Sequence, residues 1–130
     1  MMEETVKGGL DFGALRGAIE RRDPDAQLAF YAEGAELRVR HAALPEGKAF
    51  ELKGRAQIER YLRAACAQEM ECALEAAFGG QGVAFVEALR YPDGTRVRVR
   101  TVLEVAGCLI LRQTSVVERA RSDDSIGGER

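Results

Sequence analysis

From Val83 to Val117 polar and apolar residues alternate, broken only at YPDGT (Tyr91 to Thr95) and VAGC (Val105 to Cys108). Successive side chains of a strand point to opposite faces, so this alternation sorts the segment into two surfaces. Pro92 and Gly94 predict a hairpin turn with glycine in the left-handed position, and Gly107 predicts a second turn. If each glycine forms the one-residue bulge of a three-residue loop, Tyr91 faces Thr95 and Glu104 faces Cys108. One face then collects Val83, Phe85, Glu87, Leu89, Val97, Val99, Thr101 and Leu103, continued by Leu109, Leu111, Gln113, Ser115 and Val117. The other collects Ala84, Val86, Ala88, Arg90, Arg96, Arg98, Arg100 and Val102, continued by Ile110, Arg112, Thr114 and Val116, with Arg100 opposite Arg112. A two-residue second loop would mix apolar and charged residues on both faces, so burial selects the bulged register.

The first half of the chain reads differently. Phe12, Leu15, Ala18 and Ile19 recur at helical spacing within a short helix from Asp11 to Arg21. Asp23 before Pro24 is a helix cap followed by proline at the first helical position. This second helix is expected to carry Leu28 and Tyr31 inward and to end near Gly34. Ala35 to His41 then alternates, with Leu37, Val39 and His41 on one face. A short strand over AFELK precedes a third helix from about Gly54, with Ile58, Tyr61, Leu62 and Ala65 facing in. Residues 1–9 and 119–130 lack periodicity and are expected to be flexible, leaving one domain over 10–118.

At 130 residues the chain fits one domain with a real core. Its net charge of −2 argues against nucleic acid as a partner, because phosphate contacts need a basic surplus. No apolar run approaches a membrane span, and MMEETVKGG has no signal-peptide core, so a cytoplasmic protein is expected. Cys66, Cys72 and Cys108 have no metal-type spacing, and with a single histidine no metal or cofactor is assigned.

Three helices followed by a long-stranded meander resemble the nuclear transport factor 2-like superfamily, which includes ketosteroid isomerases and polyketide cyclases of the SnoaL type. The residues that carry the resemblance are Asp23-Pro24-Asp25, Tyr31-Ala32-Glu33, Leu52 to Arg55 with Ile58 and Tyr61-Leu62, and the hairpin from Gly107 to Val117. The resemblance implies an α+β fold: three N-terminal helices packed on a curved, mostly antiparallel sheet that forms a cone with a pocket. It also implies a dimer. It does not carry a reaction with it. The catalytic aspartate of ketosteroid isomerases falls at Val39 here, and their oxyanion-hole tyrosine at Leu15. A valine cannot serve as a general base, so steroid isomerisation is rejected.

Glu87 is the most informative residue, a carboxylate in an apolar row opposite Val99. Burial without a partner would raise its pKa. It is read either as an acid, base or ligand anchor, or as a structural carboxylate bonded to Gln113 or Tyr61. Gln113, Thr101 and Ser115 add polar points to the same face. Such hydroxyls also bond locally and serve only the fold. His41 is a candidate acid or base near neutral pH, against a half-exposed strand end. Tyr31 and Tyr61 are candidate ligand contacts, against core packing. The reading that follows is a domain binding a small apolar molecule, with cyclase, isomerase or hydrolase-type acid/base chemistry through Glu87. The rival is a non-catalytic binding or dimerisation module whose pocket is filled by its own side chains, with Phe85, Phe78 and Tyr61 meeting in the centre. The arginine-laced outer face is expected to form a homodimer.

Overall fold

The Asp11 carboxylate accepts a hydrogen bond from Ala14 N at 3.0 Å and starts helix α1, Phe12–Glu20. Asp23 does the same for α2, Pro24–Leu28, accepting from Ala26 N at 3.1 Å with Pro24 at the first helical position. A computed structural model describes residues 9–41, 49–79 and 83–120. After α2 come strands β1, Tyr31–His41, and β2, Ala49–Lys53, and then helix α3, Arg55–Cys66. Four strands complete the chain: β3, Glu71–Gly79; β4, Val83–Arg90; β5, Arg96–Ala106; and β6, Leu109–Ala120. The six strands form one curved, unclosed sheet in the order β2-β1-β6-β5-β4-β3. All neighbours are antiparallel except β1 and β6, which run parallel. The fold is thus the expected α+β arrangement of three helices on a mostly antiparallel sheet.

The core lies between the helices and the concave face. Leu15 and Ile19 of α1 and Ile58 and Leu62 of α3 pack there against Leu37, Phe85, Leu103 and Ile110. Each such side chain contributes roughly 1.5–3 kcal/mol by leaving water. Gly54 enters α3 with φ 87, a conformation glycine adopts without strain, and its N–H donates to Ala35 O at 2.8 Å. That bond ties the start of α3 to β1.

The structure corrects three expectations. The second helix ends at Leu28, not near Gly34, and the strand begins at Tyr31 rather than Ala35. The cause is tertiary pairing: Ile110 N donates to Phe30 O at 2.8 Å, and Tyr31 pairs with Ile110, so β6 captures this segment as strand. A register shift between Tyr31 and Glu36 absorbs the mismatch.

The second correction concerns the β5–β6 hairpin. The first hairpin has the expected register, with Tyr91 N donating to Thr95 O at 2.9 Å and Gly94 at φ 91. At the second, Ala106 pairs with Leu109, leaving a two-residue loop of Gly107, at φ 61, and Cys108. A bulge then follows, because Val105 pairs with Ile110 while Glu104 pairs with Arg112. Leu111 is the extra residue. The bulge keeps Gln113, Ser115 and Val117 on the expected face but exchanges the residues before it. Ile110 is fully buried, and Leu109 and Leu111 are exposed. The short loop and the bulge together avoid the mixing of faces that either alone would cause. Arg100 accordingly pairs with Val116 and not with Arg112.

Third, β6 continues to Ala120, two residues past the expected domain boundary at 118, with Arg119 and Ala120 paired to Val97 and Arg96. The segments expected to be flexible otherwise lie outside the described residues, apart from Gly9. Among the described residues no helix is long and apolar enough to cross a membrane.

On the convex face four arginines are answered by carboxylates across the strands. Arg90 meets Glu71 at 3.0 Å, Arg98 meets Glu75 at 2.9 Å, Arg112 meets Glu104 at 3.1 Å, and Arg100 pairs with Glu118.

Candidate functional site

The alternation of β4 sends Phe85, Glu87 and Leu89 to the concave face, and Glu87 pairs with Val99 on one side and Leu74 on the other. The helices do not fill the space above this row. A cavity of about 130 Å³ remains, with Leu15, Val39, Phe85, Leu103 and Ile110 in its wall. Two aromatic pairings border it. The Phe85 ring packs on Phe12 with centroids 5.8 Å apart, and the Tyr61 ring packs on Phe50 at 5.7 Å. Phe85 and Tyr61 therefore face other rings rather than each other. The side chain of Phe78 lies outside the described residues.

The expected polar residues divide into two groups. Tyr31 lies at the start of β1, not on a helix, and its hydroxyl donates to Gln113 Oε1 at 2.5 Å. Gln113 Nε2 donates to Ser115 Oγ at 3.2 Å, and Ser115 Oγ lies 2.9 Å from Thr101 Oγ1. These four side chains form a chain that satisfies itself. Tyr31, Gln113 and Ser115 still line the cavity, whereas Thr101 is buried behind Ser115 and does not.

Glu87 and Tyr61 form the second group. Both line the cavity, and among the described residues neither has a hydrogen-bond partner. Gln113, a suggested partner for Glu87, is committed to Tyr31 and Ser115, and it faces Leu103 across the β5–β6 ladder. Burial pushes the Glu87 carboxyl from 4.5 up to about 7, with no opposing charge. Burial is also the main cause of raised pKa values at the Tyr31 and Tyr61 hydroxyls, and the nearby Glu87 adds to both. Glu87 is only part-buried by surface area, since its open side faces the cavity.

His41 stands apart. It is exposed at the last position of β1 and does not line the cavity. Leu37 and Val39, earlier on the same strand, are buried.

Sequence reasoning did not select Arg22, Gln27, Cys66 and Cys72, which also line the cavity. They come from the joint between α1 and α2, from α2, and from the two sides of the α3–β3 connection. Only the pairing of α2 with α3 brings them together, and no local spacing signals it. Cys72 alone carried a trace of this, because it shares the inward parity of Leu74. Burial, with help from Glu87, pushes its thiol up to about 12. Among the described residues no group of three His, Cys, Asp or Glu side chains could hold a metal ion.

The architecture can be set beside solved structures. A protein provisionally named a ketosteroid isomerase, from Kribbella flavida, superposes with TM-score 0.68 at 20% identity, over 84% of this chain and 76% of that one. An NTF2-like protein of unknown function from Mesorhizobium loti gives TM-score 0.68 at 19% identity, over 82% and 86%. A SnoaL-like protein of unknown function from Burkholderia thailandensis gives 0.59 at 20%, over 83% and 89%. The chain has the nuclear transport factor 2-like fold. At these identities the agreement concerns the fold alone, which hosts unrelated functions. No family model matches the chain, and no curated protein matches it by sequence. Within this fold, Val39 and Leu15 both stand in the cavity wall, so the positions implied for the steroid-isomerase base and donor are aliphatic here.

Proposed function

We propose that the chain binds a small, largely apolar molecule in the cone, anchored through a hydrogen-bonding oxygen by Glu87 and Tyr61. The observation that carries this reading is the Glu87 carboxyl, without a hydrogen-bond partner among the described residues, facing a cavity of mostly apolar walls. A ligand hydroxyl that hydrogen-bonds to such a charged group gains roughly 1.5–3 kcal/mol. The volume limits the size. Typical ligand pockets span roughly 300–1,000 Å³, and an engineered cavity of about 150 Å³ takes up benzene. At about 130 Å³ the cavity suits one ring or its equivalent, and a four-ring steroid is too large for it as it stands.

A carboxyl that ionises near neutrality beside a bound molecule can also pass a proton. Acid/base catalysis of cyclase, isomerase or hydrolase type is therefore the second reading, supported by the Glu87 pKa of about 7 and by the provisional isomerase name of a fold neighbour. The exposed Val102, on the outer surface with the paired arginines, supports a homodimer through the convex face. A cytoplasmic setting would keep Cys66 and Cys72 reduced at the cavity.

Phenol titrated into the protein and followed by amide chemical shifts tests the binding. Saturable shifts at Val99, Leu103 and Ile110 that weaken at least about tenfold in Glu87→Ala support the anchor. Saturable binding left unchanged by Glu87→Ala would remove Glu87 from the account.

A further inference from the structure

Arg22 lines the same cavity and has no part in the binding described so far. It sits at the joint between α1 and α2 with φ 56, in the left-handed region that residues with side chains seldom occupy. Its Nη2 donates to Ala65 O at 2.6 Å, near the C-terminal end of α3. That bond anchors the guanidinium and leaves Nε and Nη1 without a partner among the described residues. The adjacent carboxylate, Asp23, caps α2 through Ala26. Cys66 and Cys72 lie within electrostatic reach of both Arg22 and Glu87, yet these two form no ion pair. Among the described residues, therefore, the cavity presents a cation and a carboxyl that are both without an ion-pair partner.

A planar guanidinium with free donors matches the two oxygens of a carboxylate. Among the described residues Arg22 is the one Lys or Arg in the cavity wall, so the charge there balances a monoanion and not a phosphate dianion. Arg22 and Gln27 are part-exposed, whereas Leu103 and Ile110 are fully buried, which puts the cation at the rim and the apolar surface inside. Building on the small-molecule reading above, we propose that the cavity takes a small monocarboxylate, its apolar body in the cone and its carboxylate held by Arg22.

Glu87 then sets the pH window. It faces Tyr31 from β1, Tyr61 and Cys66 from α3, Cys72 from β3 and Val99 from β5, with Arg22 and, from α1, Glu20 acting on Cys72 beside it. Burial raises both phenols and both thiols, so all four stay neutral through pH 6 to 8 while Glu87 changes charge. An anion binds better beside the neutral carboxyl, so its affinity falls as pH rises through about 7.

Calorimetric titration with benzoate and its neutral isostere benzamide, at pH about 6 and about 8.5, tests the proposal, the two values bracketing the Glu87 transition. Benzoate should bind more tightly at the lower pH, with a smaller advantage at the higher. Arg22→Gln should weaken benzoate about tenfold or more and change benzamide by less than about twofold, which also shows that the cavity remains folded. Arg22→Lys should retain part of the benzoate preference. Equal binding of the two probes, or equal losses in Arg22→Gln, overturns the carboxylate assignment and leaves the small-molecule reading standing. Absence of binding by either probe overturns both. If Arg22→Gln does not fold, a benzoate preference that stays flat between the two pH values overturns the proposal.

Discussion

The two faces of one sheet treat carboxylates in opposite ways. On the convex face Glu71, Glu75, Glu104 and Glu118 each meet an arginine across a strand. On the concave face Glu87 meets Val99 and Leu74, and no cation comes within ion-pair reach among the described residues. Strand parity alone separates the two cases. Outside, water screens each pair, and its contribution is roughly 0–1 kcal/mol. Inside, burial acts on one uncompensated group and raises its pKa to about 7. A single inward carboxylate therefore carries more free energy than any of the surface pairs, and it acts against the fold at high pH.

The largest expected effect tests how the bulge at Leu111 assigns residues to the two faces. Ile110→Ala should cost about 2–5 kcal/mol in denaturant unfolding, because Ile110 is fully buried. Leu111→Ala, one residue on, should cost less than about 0.5 kcal/mol, because Leu111 is 46% exposed. Equal losses would mean that the hairpin has another register.

Next in size is the Glu87 charge. The folded pKa of about 7 lies above the ordinary 4.5, so the neutral form is preferred in the folded protein. The penalty is absent below pH 4.5, grows up to pH 7 and is constant above that. The shift corresponds to about 3 kcal/mol. Glu87→Gln should recover most of this at pH 8 and little at pH 4, as read from paired urea melts. Glu75→Gln on the convex face should instead lose at most about 1 kcal/mol at pH 8. A Glu87→Gln effect independent of pH would break the contrast between the faces.

The smallest expected change in fold stability concerns assembly. Val102 is 54% exposed on the convex face, and Val102→Glu should shift the proposed homodimer to monomer in light scattering while moving the monomer's stability by less than about 0.5 kcal/mol. A wild-type protein that is monomeric at high concentration would remove the dimer.

Much of this contrast is legible in the residues themselves. Alternation and Gly94 suffice to place Glu87 inward and opposite Val99, because a turn of known type leaves one register. The caps at Asp11 and Asp23 mark two helix starts. The rest depends on contacts distant in sequence. Tyr31 becomes strand only because β6 offers it a ladder. The bulge at Leu111 has no marker of its own, since Gly107 fits either loop length. Arg22 reaches the cavity through a helix joint, and Tyr61 turns toward Phe50 of a neighbouring strand. Cavity volume depends on all of these at once, and that is why the polar chain from Tyr31 to Thr101 could not be separated beforehand from the unmet groups at Glu87 and Tyr61.

The most direct test is a carbon-detected NMR titration of the Glu87 carboxyl in the ligand-free protein. The account predicts a midpoint near 7, well above the ordinary 4.5. A midpoint at or below 4.5 would show a solvated or paired carboxylate and contradict the account of the cavity.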